Sequence, residues 1–244
     1  MQGKTLLALI LSFSTVLFSA VGSAQDERDF TYDHPEDPWQ GMNEAVFGFN
    51  DSLDSFFFKP VAKGYKYITP DLVQIGVSNV FSNLLEVRNV LNDMLQWKWG
   101  QATNDTGRLL VNSTVGLAGV LDVAESLGLE HSEGEDFGQT LAVWGVGQGP
   151  YIVLPLLGPS TLRDGLALPV DWQAGPVGYI DHVPTRNTAT GMGLLSTRAD
   201  LLKAEAFVSG DRYTFLRDAY LQRRSYLIAD GIVEDDFGGD EYDY

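Results

Sequence analysis

Apolar residues recur along much of this chain with the period of a helical face. Met42, Val46, Phe49, Leu53, Phe56 and Phe57 follow one another at steps of three, four or one, while Glu44, Asp51 and Asp54 fall off that face. Asp37-Pro38-Trp39-Gln40 supplies a start, with Asp37 placed to cap, Pro38 suited to the first helical position and Gln40 able to return the capping bond. Lys59-Pro60 predicts the end. A second helix, Asn79 to Trp97, is the clearest: Val80, Leu84, Val87, Leu91 and Met94 form a seam that Phe81, Leu85, Val90 and Leu95 widen into an arc. Opposite runs a narrow stripe of Asn79, Ser82, Asn83, Glu86, Asn89, Asp93 and Gln96. Such an amide-rich stripe either faces water or lines a polar passage while the apolar arc meets lipid or other helices. Trp97 and Trp99 suit a headgroup interface or an anchor in the core.

A third helix is expected over Asn104 to Leu127, apolar around most of its circumference, with a thin row of Arg108, Asn112, Gly119, Asp122 and Ser126. Arg108 and Asp122 bracket too few apolar residues for it to cross a bilayer. Asp136 to Asp164 is too apolar for a solvated loop and too interrupted by Gly145, Gly147, Gly149, Pro150, Pro155 and Pro159 for one helix. It needs shelter, from protein, lipid or a partner. Leu166 to Pro184 reads as loops with short helical turns, and Thr197 to Val208 and Arg212 to Ala229 as helices, the last with Tyr213, Leu216, Tyr220 and Leu227 on one face. With no strand alternation or internal repeat, the fold class is all-α.

The ends read differently from the middle. Lys4, the apolar run Thr5 to Ala20 and the small residues before Gln25 predict a secretory signal over residues 1–24, cleaved after Ala24, with an uncleaved membrane anchor as the alternative. Residues 25–36 form a polar, flexible leader, residues 37–231 one domain, and residues 232–244 an acidic tail expected to be disordered. The formal net charge of −17 argues against nucleic acid as a partner and favours a basic protein. Cysteine is absent, so packing without disulfides holds the fold and no cysteine can carry a lipid anchor.

The chain carries no recognisable catalytic or metal-ligating set. His34, His131 and His182 stand apart, with none in a zinc pattern. No G-x-S-x-G elbow occurs, and Gly145-Val-Gly-Gln-Gly149 runs into Pro150-Tyr151 rather than the Lys-Ser or Lys-Thr of a phosphate loop. The tail acids lack the ordered spacing of a calcium loop. The sequons at Asn104 and Asn112 fall inside a predicted helix and are read as chance. No enzyme activity, cofactor or metal is therefore expected.

An ordered set of motifs carries a resemblance. It comprises Asp37-Pro38-Trp39 with Asn43, Phe47 and Phe49-Asn50; Asn79 with Asn83-Leu84 and Glu86; Arg108 with Asn112-Ser-Thr114 and Gly116; Asp136-Phe-Gly-Gln-Thr-Leu141; Trp144-Gly-Val146; and Gly149-Pro-Tyr151. Leu154-Pro155, Gly158-Pro-Ser-Thr161, Arg163-Asp164, Thr197-Arg-Ala199, Tyr213, Arg217-Asp-Ala-Tyr220 and Gln222-Arg223 follow in order. From Asp37 to about Gly231 the chain resembles the MlaA (VacJ) family of outer-membrane phospholipid-trafficking proteins of Gram-negative bacteria. That resemblance implies a ring of amphipathic helices in the periplasmic leaflet around a polar channel. It also implies removal of mislocalised phospholipid from the outer leaflet, association with a trimeric porin, and transfer to a soluble periplasmic lipid carrier, without an enzymatic reaction. On that basis Asn83, Glu86, Asn89, Arg108, Asn112, Asp122, Arg163 and Asp164 are candidates for the lipid path. Phe137, Gly138, Trp144, Gly145, Gly147, Gly149 and Tyr151 are candidates for a gate. The alternative is a periplasmic scaffold that binds porin and carrier without conducting lipid. Three departures stand out: the missing cysteine after the signal, Glu44 where an Arg is common, and Val87 where a Pro is common.

Overall fold

The first helix starts later and runs on further than its sequence signals predict. The computed structural model describes residues 35–205 and 210–232, so the expected signal, most of the leader and nearly all of the acidic tail lie outside the described residues. Helix α1 spans Gln40–Leu53 with Trp39 at its N-cap and no side-chain cap bond. Asp37 does not cap it. Its buried carboxylate accepts from Asn43 Nδ2 at 2.8 Å and from the Tyr213 hydroxyl. Lys59-Pro60 does not stop the helix either: a single π-turn, Asp54–Phe58, feeds directly into α2, Lys59–Ile68. Pro60 sits in the first turn of α2, and the wider π-turn before it relieves the crowding that proline brings to a helix interior. Chain direction changes at Thr69-Pro70, where extended backbone ends α2.

Helix α3 covers Asp71–Leu95, beginning about two turns before the predicted start. It packs along α4, Trp99–Thr114. The long third helix expected to reach Leu127 instead breaks after Thr114. Leu117 and Ala118 take φ of 55° and 59° and Gly119 follows at 89°, a left-handed run that folds the chain back before the short α5, Val123–Ser126. Gly116 makes that reversal possible, because a Cβ there would lie 2.2 Å from the Leu121 carbonyl oxygen.

The Gly/Pro segment is sheltered by protein and holds elements that the pattern did not reveal. Helix α6, Phe137–Val143, is capped by Asp136. Strands β1, Tyr151–Leu154, and β2, Gly158–Thr161, pair antiparallel with Tyr151 opposite Thr161 and Leu154 opposite Gly158. The expected loops after Leu166 are replaced by α7, Leu162–Ala174, whose N-cap Thr161 accepts the Asp164 amide at 3.2 Å and which continues through Pro169. A 3-10 turn, Pro176–Tyr179, leads into α8, Val183–Ala204, which starts far earlier than the predicted Thr197. Helix α9, Arg212–Ile228, agrees with its predicted span. Apart from the hairpin the architecture is helical, and the fold is all-α.

Burial is inverted relative to an ordinary water-soluble domain. Among the described residues, buried polar and charged side chains outnumber buried apolar ones two to one. Large apolar side chains stand outside instead, with Phe56 at 85%, Tyr67 at 91% and Leu72 at 84% exposure. Two small apolar clusters remain: Val46, Tyr151, Val153, Tyr213 and Leu221 beneath the hairpin, and Ala62, Tyr65 and Ala199 between α2 and α8. Among the described residues no helix is long and apolar enough to cross a membrane.

Candidate functional site: buried polar networks

The polar stripe of α3 turns inward. Asn83, Glu86, Asn89, Asn92, Asp93 and Gln96 are all buried, while Leu85, Leu91, Met94 and Leu95 of the same helix are exposed. Arg108 of α4 occupies the centre. Its Nε donates to Glu86 Oε1 at 3.2 Å, its Nη2 to Asp122 Oδ2 at 2.8 Å and its Nη1 to the Leu129 carbonyl at 2.7 Å. Asn112 donates to Asp122 Oδ1 at 2.9 Å and accepts the Ala124 amide at 2.9 Å. Asn89 donates to Glu86 Oε2 at 3.1 Å and accepts the Glu135 amide at 3.1 Å, and Asn83 donates to Ser113 Oγ at 2.9 Å. The left-handed turn after Thr114 is what returns Asp122 to Arg108. Burial, reinforced by Asp105, pushes the Glu86 carboxyl up. Burial also opposes ionisation of Asp122, yet bonds from Arg108 and Asn112 hold it below the usual carboxylate range.

A second network joins α6, α7 and α9. Arg163 Nε donates to Asp164 Oδ1 at 2.9 Å, and Asp164 also accepts the Tyr220 hydroxyl at 2.8 Å and Arg224 Nη2 at 3.0 Å. Arg224 grips Asp136 through two bonds of 2.6 and 2.7 Å, while Asp136 caps α6 through the Gln139 amide at 2.9 Å. Despite burial, Arg224 carries the Asp136 carboxyl below its ordinary value. Asp171 accepts the Phe137 amide at 2.9 Å, and burial raises its carboxyl. The sequence grouped Arg163 and Asp164 with the α3–α4 residues in one set of lipid-path candidates; the structure puts them in this separate network, with Arg224, Asp136 and Asp171 as companions that the sequence reading missed. A signal existed: Tyr213, Arg217, Tyr220 and Arg224 recur at steps of four, three and four, so the arginines share the face of α9 that carries its tyrosines.

The gate candidates separate into two groups. Gly138 is buried where a Cβ would lie 2.4 Å from Arg224 Nη2 and 2.5 Å from Asp164 Oδ1, so the second network closes only around glycine. Phe137 and Trp144 meet edge to face at 6.0 Å, and Trp144 donates to the Leu95 carbonyl at 3.1 Å while half exposed. Gly145 and Gly149 have positive φ, and Gly147 has open space around it. Tyr151 lies elsewhere, fully buried against Tyr213 and Tyr220. Asn43 Nδ2 donates to the Tyr151 carbonyl at 3.1 Å and its Oδ1 accepts the Val153 amide at 2.9 Å. Two turns on, Asn50 bonds the Leu154 carbonyl at 3.0 Å and the Leu156 amide at 2.8 Å, so α1 grips the hairpin through two amides.

This arrangement stores charge inside and presents hydrocarbon outside. Among the described residues no three His, Cys, Asp or Glu side chains converge in a geometry that could hold a metal ion. A family model described as MlaA lipoprotein matches residues 35–227. The chain is similar to the Escherichia coli protein named intermembrane phospholipid transport system lipoprotein MlaA, 30% identical over 240 residues and covering 93% of this chain and 90% of that relative. An uncharacterised protein of Rickettsia prowazekii is 31% identical over 235 residues, covering 89% of this chain and 93% of its own. A solved structure from work on the structural basis for maintenance of bacterial outer membrane lipid asymmetry matches with a TM-score of 0.70 and 31% identity, over 79% of this chain and 98% of that one.

Proposed function

The chain belongs to the MlaA family, and from that premise we propose that it is the outer-membrane component of a phospholipid transport system that maintains lipid asymmetry. The observation that carries this reading is the inverted burial, with Arg108, Glu86, Arg163 and Asp164 inside and Phe56, Leu72 and Leu166 outside. In water, so many exposed apolar side chains would drive aggregation. Against acyl chains the same surface is favourable, and charge is tolerated only where it is paired or bounds a polar path. The helices then lie in the periplasmic leaflet without spanning it. Phospholipid heads move along the polar rows that the two networks stiffen, from Asn83, Glu86, Asn89, Arg108, Asn112 and Asp122 toward Arg163 and Asp164. The segment from Phe137 to Gly149 forms the constriction, with Tyr151 anchoring its far end in the core beneath the hairpin. A trimeric porin holds the protein in place, and a soluble carrier receives the lipid.

Photo-crosslinking residues placed one at a time at Phe56, Leu72 and Leu166 test the medium. Phospholipid adducts from outer-membrane preparations are expected at all three. A crosslinker at Ser82, on the polar side of α3, is expected to capture lipid during transport as well. Adducts with protein alone, together with unchanged outer-leaflet phospholipid in cells lacking the gene, would support the scaffold in place of the conduit.

A further inference from the structure

The last turn of α9, the start of α4 and the loop of residues 128–135 enclose a cleft of about 480 Å3 that touches the two networks only through Glu135 and Gln139. Its two sides differ in sign. Gly100 and Gln101 line one side from the first turn of α4, and the N-cap residue Lys98 brings no side-chain acceptor to that turn. First-turn amides have no partner within their own helix, and a helix start carries partial positive charge, so this side suits an anion. The other side is acidic. Lys98 already serves two of its carboxylates, through a 2.9 Å bond to Glu135 and a short contact with Asp230. Glu130 and Glu133 are left for an incoming cation: Glu130 is exposed, and Glu133 meets Arg223 at 3.5 Å with both side chains more than half exposed. A pair of that kind contributes little.

The cleft also contains an unmet demand. Gln139 is in its wall, is 2% exposed, and donates Nε2 to the Gly134 carbonyl at 3.0 Å while its Oε1 has no partner. A buried amide oxygen without a donor is destabilising, and a donor-bearing guest in the adjoining cleft relieves it. Depth adds an independent constraint. Trp97 and Trp99 are exposed, lie edge to face at 5.8 Å, and lead directly into α4. Tryptophans so placed settle at the headgroup level of a bilayer.

We propose that this cleft binds a zwitterionic phosphoethanolamine headgroup, its phosphate against the first turn of α4 and its primary ammonium against Glu130 and Glu133. The assignment rests on the lipid-handling reading above and adds a headgroup preference to it. An ammonium offers three donors to a wall rich in acceptors. A choline head has no N–H to give, and a glycerol head has no positive charge for the two glutamates.

The purified protein in non-ionic detergent, titrated calorimetrically with dihexanoyl phosphatidylethanolamine, phosphatidylcholine and phosphatidylglycerol, tests the site. The ethanolamine lipid is expected to bind about tenfold more tightly than the others, the size of one charge-assisted contact. The double variant E130Q/E133Q is expected to lose that preference while keeping the same circular dichroism and melting temperature. Equal binding of all three lipids, or a preference that survives in the double variant, overturns the headgroup site and leaves lipid handling standing. Failure to bind any of them removes both. Free phosphoethanolamine binding as tightly as the lipid would reassign the cleft to a soluble small molecule. Calcium displacing the lipid from the wild type but not from the double variant would reassign it to a metal.

Discussion

The two ends of the α3–α4 seam both bury charge but balance it differently. At the Arg108 end one guanidinium meets Glu86, Asp122 and the Leu129 carbonyl, and Asn112 and Asn89 fill most of the remaining positions. At the Trp97 end Asp93 and Asp105 are both 0% exposed, and neither oxygen of Asp93 has a partner. Asp105 accepts from Asn104 and Ser132, and Lys98 divides its charge between Glu135 and Asp230. Burial alone therefore does not decide ionisation. The supply of donors counts as well: Arg108 and Asn112 hold Asp122 low, whereas burial and Asp105 still raise Glu86. Where donors suffice both carboxylates bind arginine, and where they fail burial, with Asp105 and Glu135 adding to it, pushes the Asp93 carboxyl up to about 8.

Four substitutions, read as thermal or denaturant stability in detergent, probe this difference. Arg108→Met is expected to be the most damaging, by about 3–5 kcal/mol, because it strands the buried Glu86 carboxylate and takes the cation from partly exposed Asp122. A loss under about 1 kcal/mol would mean that water already reaches Glu86 and Asp122 and would undo the contrast. Lys98→Met should cost about 1–3 kcal/mol by leaving buried Glu135 short of a donor. Asp93→Asn should act through pH. Because the folded carboxyl titrates near 8 rather than at 3.8, the native state holds a proton that the unfolded chain has released. Its contribution to stability is complete below about pH 4 and is lost as pH rises through 8, by at most about 1.4 kcal/mol per unit. The wild type should therefore weaken from pH 6 to pH 8, and the Asn variant should show a flatter profile; identical slopes would place the proton elsewhere. Ser132→Ala should have the smallest effect, about 0.5–1.5 kcal/mol, through the 2.9 Å bond to Asp105.

Periodicity made α1, α3 and α9 legible in the sequence, and the same periodicity identified the rows that carry Asn83, Glu86, Asn89, Arg108 and Asn112. What it left open was which side of α3 faces inward, since an amphipathic helix looks alike in water and in lipid until its partners are known. The break after Thr114 was hidden because Leu117 and Ala118 are ordinary helix formers that here take a left-handed turn, closed by backbone bonds from the Ala118 and Gly119 amides to the Ser113 and Asn112 carbonyls. Helix α7 was hidden by Pro169, and the hairpin by strands too short to display alternation. Asp37 shows the same limit from the other side. It has the chemistry of a cap, but the partners that claim it, Tyr213 and Arg217, come from the far end of the chain.

The π-turn at Asp54–Phe58 gives α1 and α2 a phase relationship as well as a join. Its additional residue behaves like an insertion absorbed within one turn, so that α2 keeps the phase it would have on an uninterrupted helix. Lys59 thereby stays against Glu205, and Asp54 against the paired nitrogens of Arg198. A one-codon deletion in this short aromatic stretch would restore ordinary winding and leave those contacts to α8 in register, whereas the same deletion in the regular turns of α2 would rotate the residues beyond it by about 100°.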